Sequence, residues 1–313
     1  MTLFNDPESG LLGVRRGGGV AVRGILVLGF LVVSGALVEA SAQRAIATAL
    51  PADSVVRKPA NKPPKKGFVK SQLRNNRVFA ARYEKRFAIK QLFRDQGVAY
   101  PAEQVFLRIF KRERQLEMWV RSAGQDTFAL LKTYEICALS DKLGPKRRQG
   151  DMQTPEGFYY IDNFNPRSGF HLSLHINYPN QSDRLLGREN LGGDIFIHGG
   201  CKTEGCLAVT DENIKEIYWL AVEVRDNGQS RIPVHIFPAR LNDNNMAQLA
   251  NVFKTEPELV RFWSNLKPGY DYFAEKKRLP EYTINARGFY KYLKGEPLLG
   301  EATTGQSEPA KGN

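Results

Sequence analysis

Apolar positions along the chain change period four times. Over residues 79–93, Phe79, Tyr83, Phe87, Ala88, Leu92 and Phe93 recur at helical spacing, which predicts a helix with one apolar stripe, stopped at Gly97. Short runs of strand length follow at 104–110, 115–121, 127–136, 157–161, 171–177, 194–198 and 232–237. The charged, Gly-containing stretch 141–153 reads as a loop. One helix interrupts the strands. Thr210 is placed to cap it, Asp211 and Glu212 put acids in its first turn, and Ile214, Ile217, Tyr218, Leu220 and Ala221 form its apolar face. After Phe237 the period turns helical again, over 246–253 and 256–266, the latter containing Trp263. No internal repeat is visible. The expected fold is mixed and mainly β, with helices before, within and after the strand region.

The chain has 313 residues, enough for one full core and a second small one. Its formal charge of +12 is local. Residues 55–94 hold thirteen basic residues and one acid, Glu84, out of 45 basic and 33 acidic residues in all, so the remainder is balanced. That segment suits either a solvated linker or contact with nucleic acid, anionic lipid or an anionic cell-wall polymer. Pro51, Pro59, Pro63 and Pro64 among the lysines favour a linker, assigned to 43–75. The first 42 residues read as a signal segment. Arg15, Arg16 and Arg23 precede the apolar run 25–38, which is short for a membrane span, and Ala40-Ser41-Ala42 offers a cleavage site. An uncleaved anchor at 25–38 is the competing reading. Either way the body is expected outside the cytoplasm, in the periplasm or cell envelope, which argues against nucleic acid as a partner. The tail from Gly300 is polar and expected to be disordered.

The candidate chemistry is concentrated in His198-Gly199-Gly200-Cys201-Lys202-Thr203-Glu204-Gly205-Cys206, just after the apolar run Ile195-Phe196-Ile197. A chain with four His and three Cys places one imidazole and two thiols here. A thiol needs a base or a positive dipole to become a nucleophile. His198 at a strand end is a rigid base, and the helix opening at Thr210 is close enough in sequence to aim its dipole at Cys206. Backbone amides around Gly205-Cys206, with Thr203, are candidates for an oxyanion hole. Three other readings stay open: a Cys201–Cys206 disulfide, a metal site of His198, Cys201 and Cys206 that lacks a fourth ligand, and an inert cluster. His171 and His175 alternate on a presumed strand and face one side, where they either bind substrate carboxylates or are inert. His235 reads as a core residue and Cys137 as a small buried hydrophobe. Lys146-Arg147-Arg148 is either an anion-binding or a solvated loop. Arg184 and Lys202 are candidates for carboxylate recognition.

The order His198-Gly199, then Thr203-Glu204-Gly205-Cys206, resembles the signature of the L,D-transpeptidase (YkuD-type) catalytic domain, and Thr154-Pro155-Glu156-Gly157-Phe158 looks like an upstream strand of that domain. Tyr178-Pro179-Asn180, Asp183-Arg184, Cys201, the Cys-x-Ala-x-Thr-Asp run at 206–211, Phe262-Trp263-Ser264-Asn265-Leu266-Lys267 and Gly269-Tyr270-Asp271 are similar to the YafK-like subfamily. The resemblance covers roughly residues 75–285. It implies a β-sandwich or barrel catalytic domain at 76–237, with an N-terminal helix, one inserted helix, and a helical C-terminal extension at 238–299. It implies that Cys206 is the nucleophile and that His198 is the base oriented by the Gly199 carbonyl; His171, Tyr178, Arg184 and Lys202 are candidate substrate contacts. The role of Cys201 is not implied. The broader family often has Arg two residues after the nucleophile, where this chain has Ala208. The implied substrate is the peptidoglycan stem peptide, attacked at a meso-diaminopimelate carbonyl without metal or cofactor. The implied outcome is transpeptidation, or hydrolysis that releases a protein attached to peptidoglycan. The remaining alternative is a non-catalytic cell-wall binding module closed by a Cys201–Cys206 disulfide.

Overall fold

The computed structural model describes residues 55–56, 67–140 and 142–293. The expected signal segment, most of the expected linker and the polar tail lie outside the described residues. The short strand β1 (Val55–Val56) is followed by α1 (Phe68–Gln72) and α2 (Asn76–Asp95). Then come β2 (Ala102–Phe110), β3 (Gln115–Ser122) and β4 (Ala129–Glu135), and, beyond a long loop, β5 (Gly157–Asn165) and β6 (Ser173–Ile176). The strand region closes with α3 (Gln181–Leu186), β7 (Phe196–His198), β8 (Leu207–Ala208), α4 (Asp211–Asp226) and β9 (Ile232–Phe237). The C-terminal part consists of α5 (Asp243–Val252), α6 (Pro257–Lys276), β10 (Tyr282–Ile284) and β11 (Tyr290–Tyr292).

Eight strands make one half-barrel sheet in the order β4-β3-β2-β9-β5-β6-β7-β8. The last strand in sequence, β9, sits in its middle, parallel to β2 and antiparallel to β5. All six β9 residues are buried, and β2 is buried at eight of nine positions, as expected for strands covered on both faces. Each Leu- or Phe-sized side chain so covered contributes ~1.5–3 kcal/mol. Under one face Leu107, Ile109, Leu174, Ile197 and Val234 pack with Ile214, Ile217, Tyr218 and Leu220 of α4. Under the other, Phe110, Phe158 and Phe237 pack with Trp263, Leu266 and Tyr270 of α6. β1, β10 and β11 form a separate antiparallel sheet.

Four departures from the sequence reading have physical causes. The stripe expected to face the core from 79–93 splits. Val78, Ala81, Ile89 and Phe93 are buried, whereas Phe79, Tyr83 and Phe87 are 56%, 66% and 67% exposed. Small Ala81 and β-branched Val78 and Ile89 make the contact face, and the exposed rings of Phe79, Tyr83 and Phe87 are centred about 150° round the helix from it. Secondly, α1 falls inside the segment assigned to a linker. Its Val69 N–H donates to Asp226 Oδ1 (3.0 Å), and Tyr218 Oη donates to the Gln72 amide oxygen (2.7 Å). Thirdly, α6 continues through Pro268 to Lys276 instead of ending at 266. Gly269 lets it close on β5: a Cβ there would lie 2.7 Å from the Phe158 ring. Finally, the C-terminal extension is not wholly helical, because β10 and β11 pair in it.

A buried polar knot ties that extension to the sheet. Glu156 and Lys111 are fully buried and 3.0 Å apart. Lys111 Nζ also donates to the carbonyls of Gly144 (2.8 Å) and Thr154 (3.0 Å). The Glu156 carboxylate accepts from Gly144 N–H (2.8 Å) and Trp263 Nε1–H (2.7 Å). Desolvation pushes the Lys111 pKa down, and the Glu156 charge opposes that shift.

Candidate active site

Register places the imidazole and the free thiol on one sheet face. β7 and β8 pair in parallel, Ile197 opposite Leu207 and His198 opposite Ala208. Ile197 and Leu207 both enter the core, so His198 and Ala208 point the other way. Cys206, one residue before β8, continues that alternation, and the Phe196 N–H donates to its Sγ at 3.4 Å. Cys206 Sγ also contacts the Asp194 carbonyl at 3.6 Å. His198 and Cys206 are thus diagonal positions on one face of adjacent chain segments. The antiparallel neighbour β6 adds Ser173 opposite His198 and His175 opposite Phe196 on this face.

The imidazole is 2% exposed. Its Nδ1 lies 2.6 Å from the Gly199 carbonyl, which can only accept, so Nδ1 carries the proton and Nε2 keeps the lone pair. Phe170 packs against the ring with centroids 4.6 Å apart. Burial lowers the His198 pKa, and the Gly199 carbonyl only partly offsets it. At neutral pH the ring is an uncharged base. The thiol shifts the opposite way. Burial raises the Cys206 pKa, against the Phe196 N–H, the Thr203 hydroxyl and the Lys146 ammonium. The lowering expected from the following helix does not prevail. The N-terminus of α4 meets the Gly199 side of the loop, where the Asp211 carboxylate fills the space a Gly199 side chain would need. The resting pair is therefore neutral thiol and neutral imidazole.

The loop from Gly199 to Cys206 is held at both ends. Gly205 has φ 124°, and a Cβ there would meet the Gln153 carbonyl at 2.9 Å, so only glycine lets the 152–153 backbone pack this close. Among the described residues, the N–H groups of Gly205 and Cys206 reach no backbone acceptor. Cys201, at φ 42°, is bonded to Cys137 at the end of β4. This corrects two expectations. Cys137 is a disulfide partner, not a buried free thiol, and Cys201 does not pair with Cys206, whose thiol is free. The Cys137 N–H donates to the Ala208 carbonyl (2.9 Å), so the disulfide ties the loop to the strand beside it. No group of three or more His, Cys, Asp or Glu suited to a metal exists among the described residues.

The other sequence candidates scatter. His171 lies outside β6 at φ 67°, so it does not alternate with His175. Its Nε2 is buried without a hydrogen-bond partner. His175 binds Asp162 Oδ1 (2.5 Å) and packs on Phe196. Tyr178 is 4% exposed and donates to the carbonyls of Lys146 and Leu191, so it braces a loop and presents no hydroxyl to a substrate. Arg184 and Lys202 are exposed. Of the basic loop, Lys146 binds Asp151 Oδ1 (2.7 Å) and Arg147 binds the buried Asp183 (3.0 Å), leaving Arg148 exposed. His235 is buried against Phe106 and Phe158. Asp151 was not anticipated. It accepts from Lys146 Nζ and from the N–H groups of Arg147, Arg148 and Gln153, shaping the loop that Gly205 packs against. The signal for it was an acid close behind three consecutive bases.

A family model described as the L,D-transpeptidase catalytic domain, YkuD, matches residues 97–236. A protein of Escherichia coli K12 named "Putative L,D-transpeptidase YafK" is 38% identical over 205 residues, 64% of this chain and 78% of that protein. Its counterpart in Escherichia coli O157:H7 matches with the same figures. Among solved structures, the helical cell shape determining protein Pgp2 from Campylobacter jejuni aligns with 19% identity and a TM-score of 0.36, over 60% of this chain. The alignment spans 65% of that solved chain, just under two thirds of its length.

Proposed function

The chain belongs to the L,D-transpeptidase catalytic domain family, and on that premise we propose that it is an exported cysteine acyltransferase acting on peptidoglycan stem peptides. The observation that carries this reading is a free Cys206 thiol on the same sheet face as His198, whose Nδ1 proton is committed to the Gly199 carbonyl. His198 Nε2 takes the Sγ proton as the sulfur bonds to the carbonyl carbon on the L-centre of meso-diaminopimelate. In this reading the Gly205 and Cys206 N–H groups, which reach no backbone acceptor among the described residues, receive the oxyanion. The amide C–N bond breaks, the leaving amine takes the proton back from the imidazolium, and a thioester on Cys206 remains. An acceptor amine or water, deprotonated by the same Nε2, then resolves it. No step requires a metal or cofactor. In this reading Thr203 and Gly205 shape the oxyanion site, and the exposed Lys202 and Arg184 are left for an anionic part of the substrate.

With an amine acceptor the product is a cross-link. With water it is a hydrolysed amide, and a protein attached to the stem peptide would be released. Purified protein incubated with sacculi, with and without covalently attached protein, separates these by muropeptide mass analysis. New cross-links that disappear in Cys206→Ala support the transferase. Released protein that disappears in Cys206→Ala supports the amidase. Identical products from parent and variant overturn both.

A further inference from the structure

One conspicuous surface lies on α2, among residues outside the candidate site. Phe79, Tyr83 and Phe87 stand at i, i+4 and i+8 on α2, each more than half exposed. They run ~12 Å along the helix within an arc of about 80°. The same arc holds Lys90 and Arg94 and is bordered by Arg86, and no acid of α2 falls in it. Glu84, outside the arc, is held by Lys215 (2.6 Å), and Asp95 accepts from the Gln91 amide (2.6 Å). The Arg86 guanidinium lies 4.6 Å from the Phe87 ring centroid and 5.7 Å from that of Tyr83, so charge and ring are already assembled. The opposite face of α2, through Val78, Ala81 and Ile89, is part of the core. The helix is therefore rigid, and its exposed rings are not the core stripe they resemble in sequence. Three large rings side by side on an exposed helix face mark an interaction surface.

We infer that the line of Phe79, Tyr83 and Phe87, with Arg86, Lys90 and Arg94 beside it, docks α2 on an anionic phospholipid surface. A convex helix with a row of rings bordered by cations fits a flat interface that is negative at the headgroups and apolar beneath. Charge complementarity extends along the chain, because Lys62, Lys65, Lys66, Lys70 and Arg74 directly precede the helix in sequence. Docking needs no folding step, since α2 is already fixed against the core. The inference is independent of the Cys206 chemistry and goes beyond it.

The test uses the full chain and vesicles of phosphatidylcholine with and without phosphatidylglycerol. Tyr83→Trp supplies a local probe, because Trp119, Trp219 and Trp263 are all at least nine-tenths buried. The expected result is co-sedimentation with the anionic vesicles, weakened by salt, and quenching of the new indole by brominated acyl chains. Phe79→Ser/Tyr83→Ser/Phe87→Ser should lose roughly ten-fold or more in partitioning, and so should Arg86→Gln/Lys90→Gln/Arg94→Gln, which leaves the rings in place. The rate of Cys206 alkylation and the thermal midpoint check that each variant is folded. If one variant fails that check, the other still decides. Parent-like binding by a folded variant overturns the inference. So does vesicle binding without quenching of the indole, which would assign the contact to another segment. Binding to purified sacculi but not to vesicles, lost in the same variants, would assign the face to a cell-wall polymer and overturn it too.

Discussion

Two buried polar sites lie on this sheet and are built in opposite ways. Around Lys111 and Glu156 every charge has partners: two carbonyls and a carboxylate for the ammonium, an N–H, an indole and the ammonium for the carboxylate. Around His198 and Cys206 the inventory is incomplete. The Gln153 amide oxygen and His171 Nε2 are buried without hydrogen-bond partners. Met152, His171, Asp194 and Cys201 hold positive φ, a backbone choice that costs of order 1 kcal/mol each. The saturated site fastens the C-terminal extension to the sheet and has no capacity left for a ligand. The other keeps a lone pair, a thiol and free N–H groups on strained loops braced by a disulfide. Saturation gives stability, and incompleteness in a braced frame gives chemistry.

Substitutions should separate the two sites cleanly. Cys206→Ala should reduce turnover about 10⁴-fold or more while leaving the thermal midpoint nearly unchanged, as read by product formation and calorimetry. His198→Ala should cost about 10²–10⁴-fold with similarly small effects on unfolding. A midpoint drop as large as that from breaking the polar knot would make His198 structural. Glu156→Ala should do the reverse. It strands a buried ammonium and should cost ~3–5 kcal/mol, or roughly 10 °C in midpoint, with the residual folded protein still reactive at Cys206. Cys201→Ser should be milder for turnover than either active-site change. It opens a disulfide spanning 64 residues, worth up to ~4 kcal/mol in the chain-entropy view. Loss of activity equal to Cys206→Ala would instead put Cys201 in the chemistry.

The smallest effect concerns pH. Burial lowers the His198 pKa, so the base is deprotonated, and active, down to below its ordinary value of 6.5; the acid limb of kcat/KM should fall there. Burial raises the Cys206 pKa above its ordinary 9.0, so alkylation by iodoacetamide should still be accelerating above pH 9. A labelling plateau near neutral pH would mean a preformed thiolate–imidazolium pair and reverse the assignment of a neutral ground state.

Much of this was legible in the pattern of residues. The strand runs, the cap at Thr210 and the apolar face of α4 follow from local periodicity, and the structure buries Ile214, Ile217, Tyr218, Leu220 and Ala221 as that pattern requires. The two-residue β8 was invisible, since Leu207-Ala208 is too short to show alternation. The Cys137–Cys201 bond joins residues far apart in sequence, where spacing has no predictive force, so the nearer Cys206 looked the better partner. Helical spacing correctly marked α2, but its stripe splits, with Phe93 buried and Phe79, Tyr83 and Phe87 exposed. Period identifies a stripe, whereas which stripe is buried depends on the surface it meets, here α4. The loop around Asp151 and the Lys111–Glu156 pair are likewise tertiary facts. The chain supplies the charges, and only the fold shows that they are inside.

The most direct test is intact-mass and peptide mapping of the protein after brief exposure to a stem-peptide donor, quenched in acid to preserve a thioester. The expected result is a hydroxylamine-labile acyl adduct on Cys206, with Cys137 and Cys201 still joined, and no adduct in Cys206→Ala. Product formed by Cys206→Ala at the parent rate, or an adduct on any other residue, would contradict the assignment of Cys206 as the nucleophile.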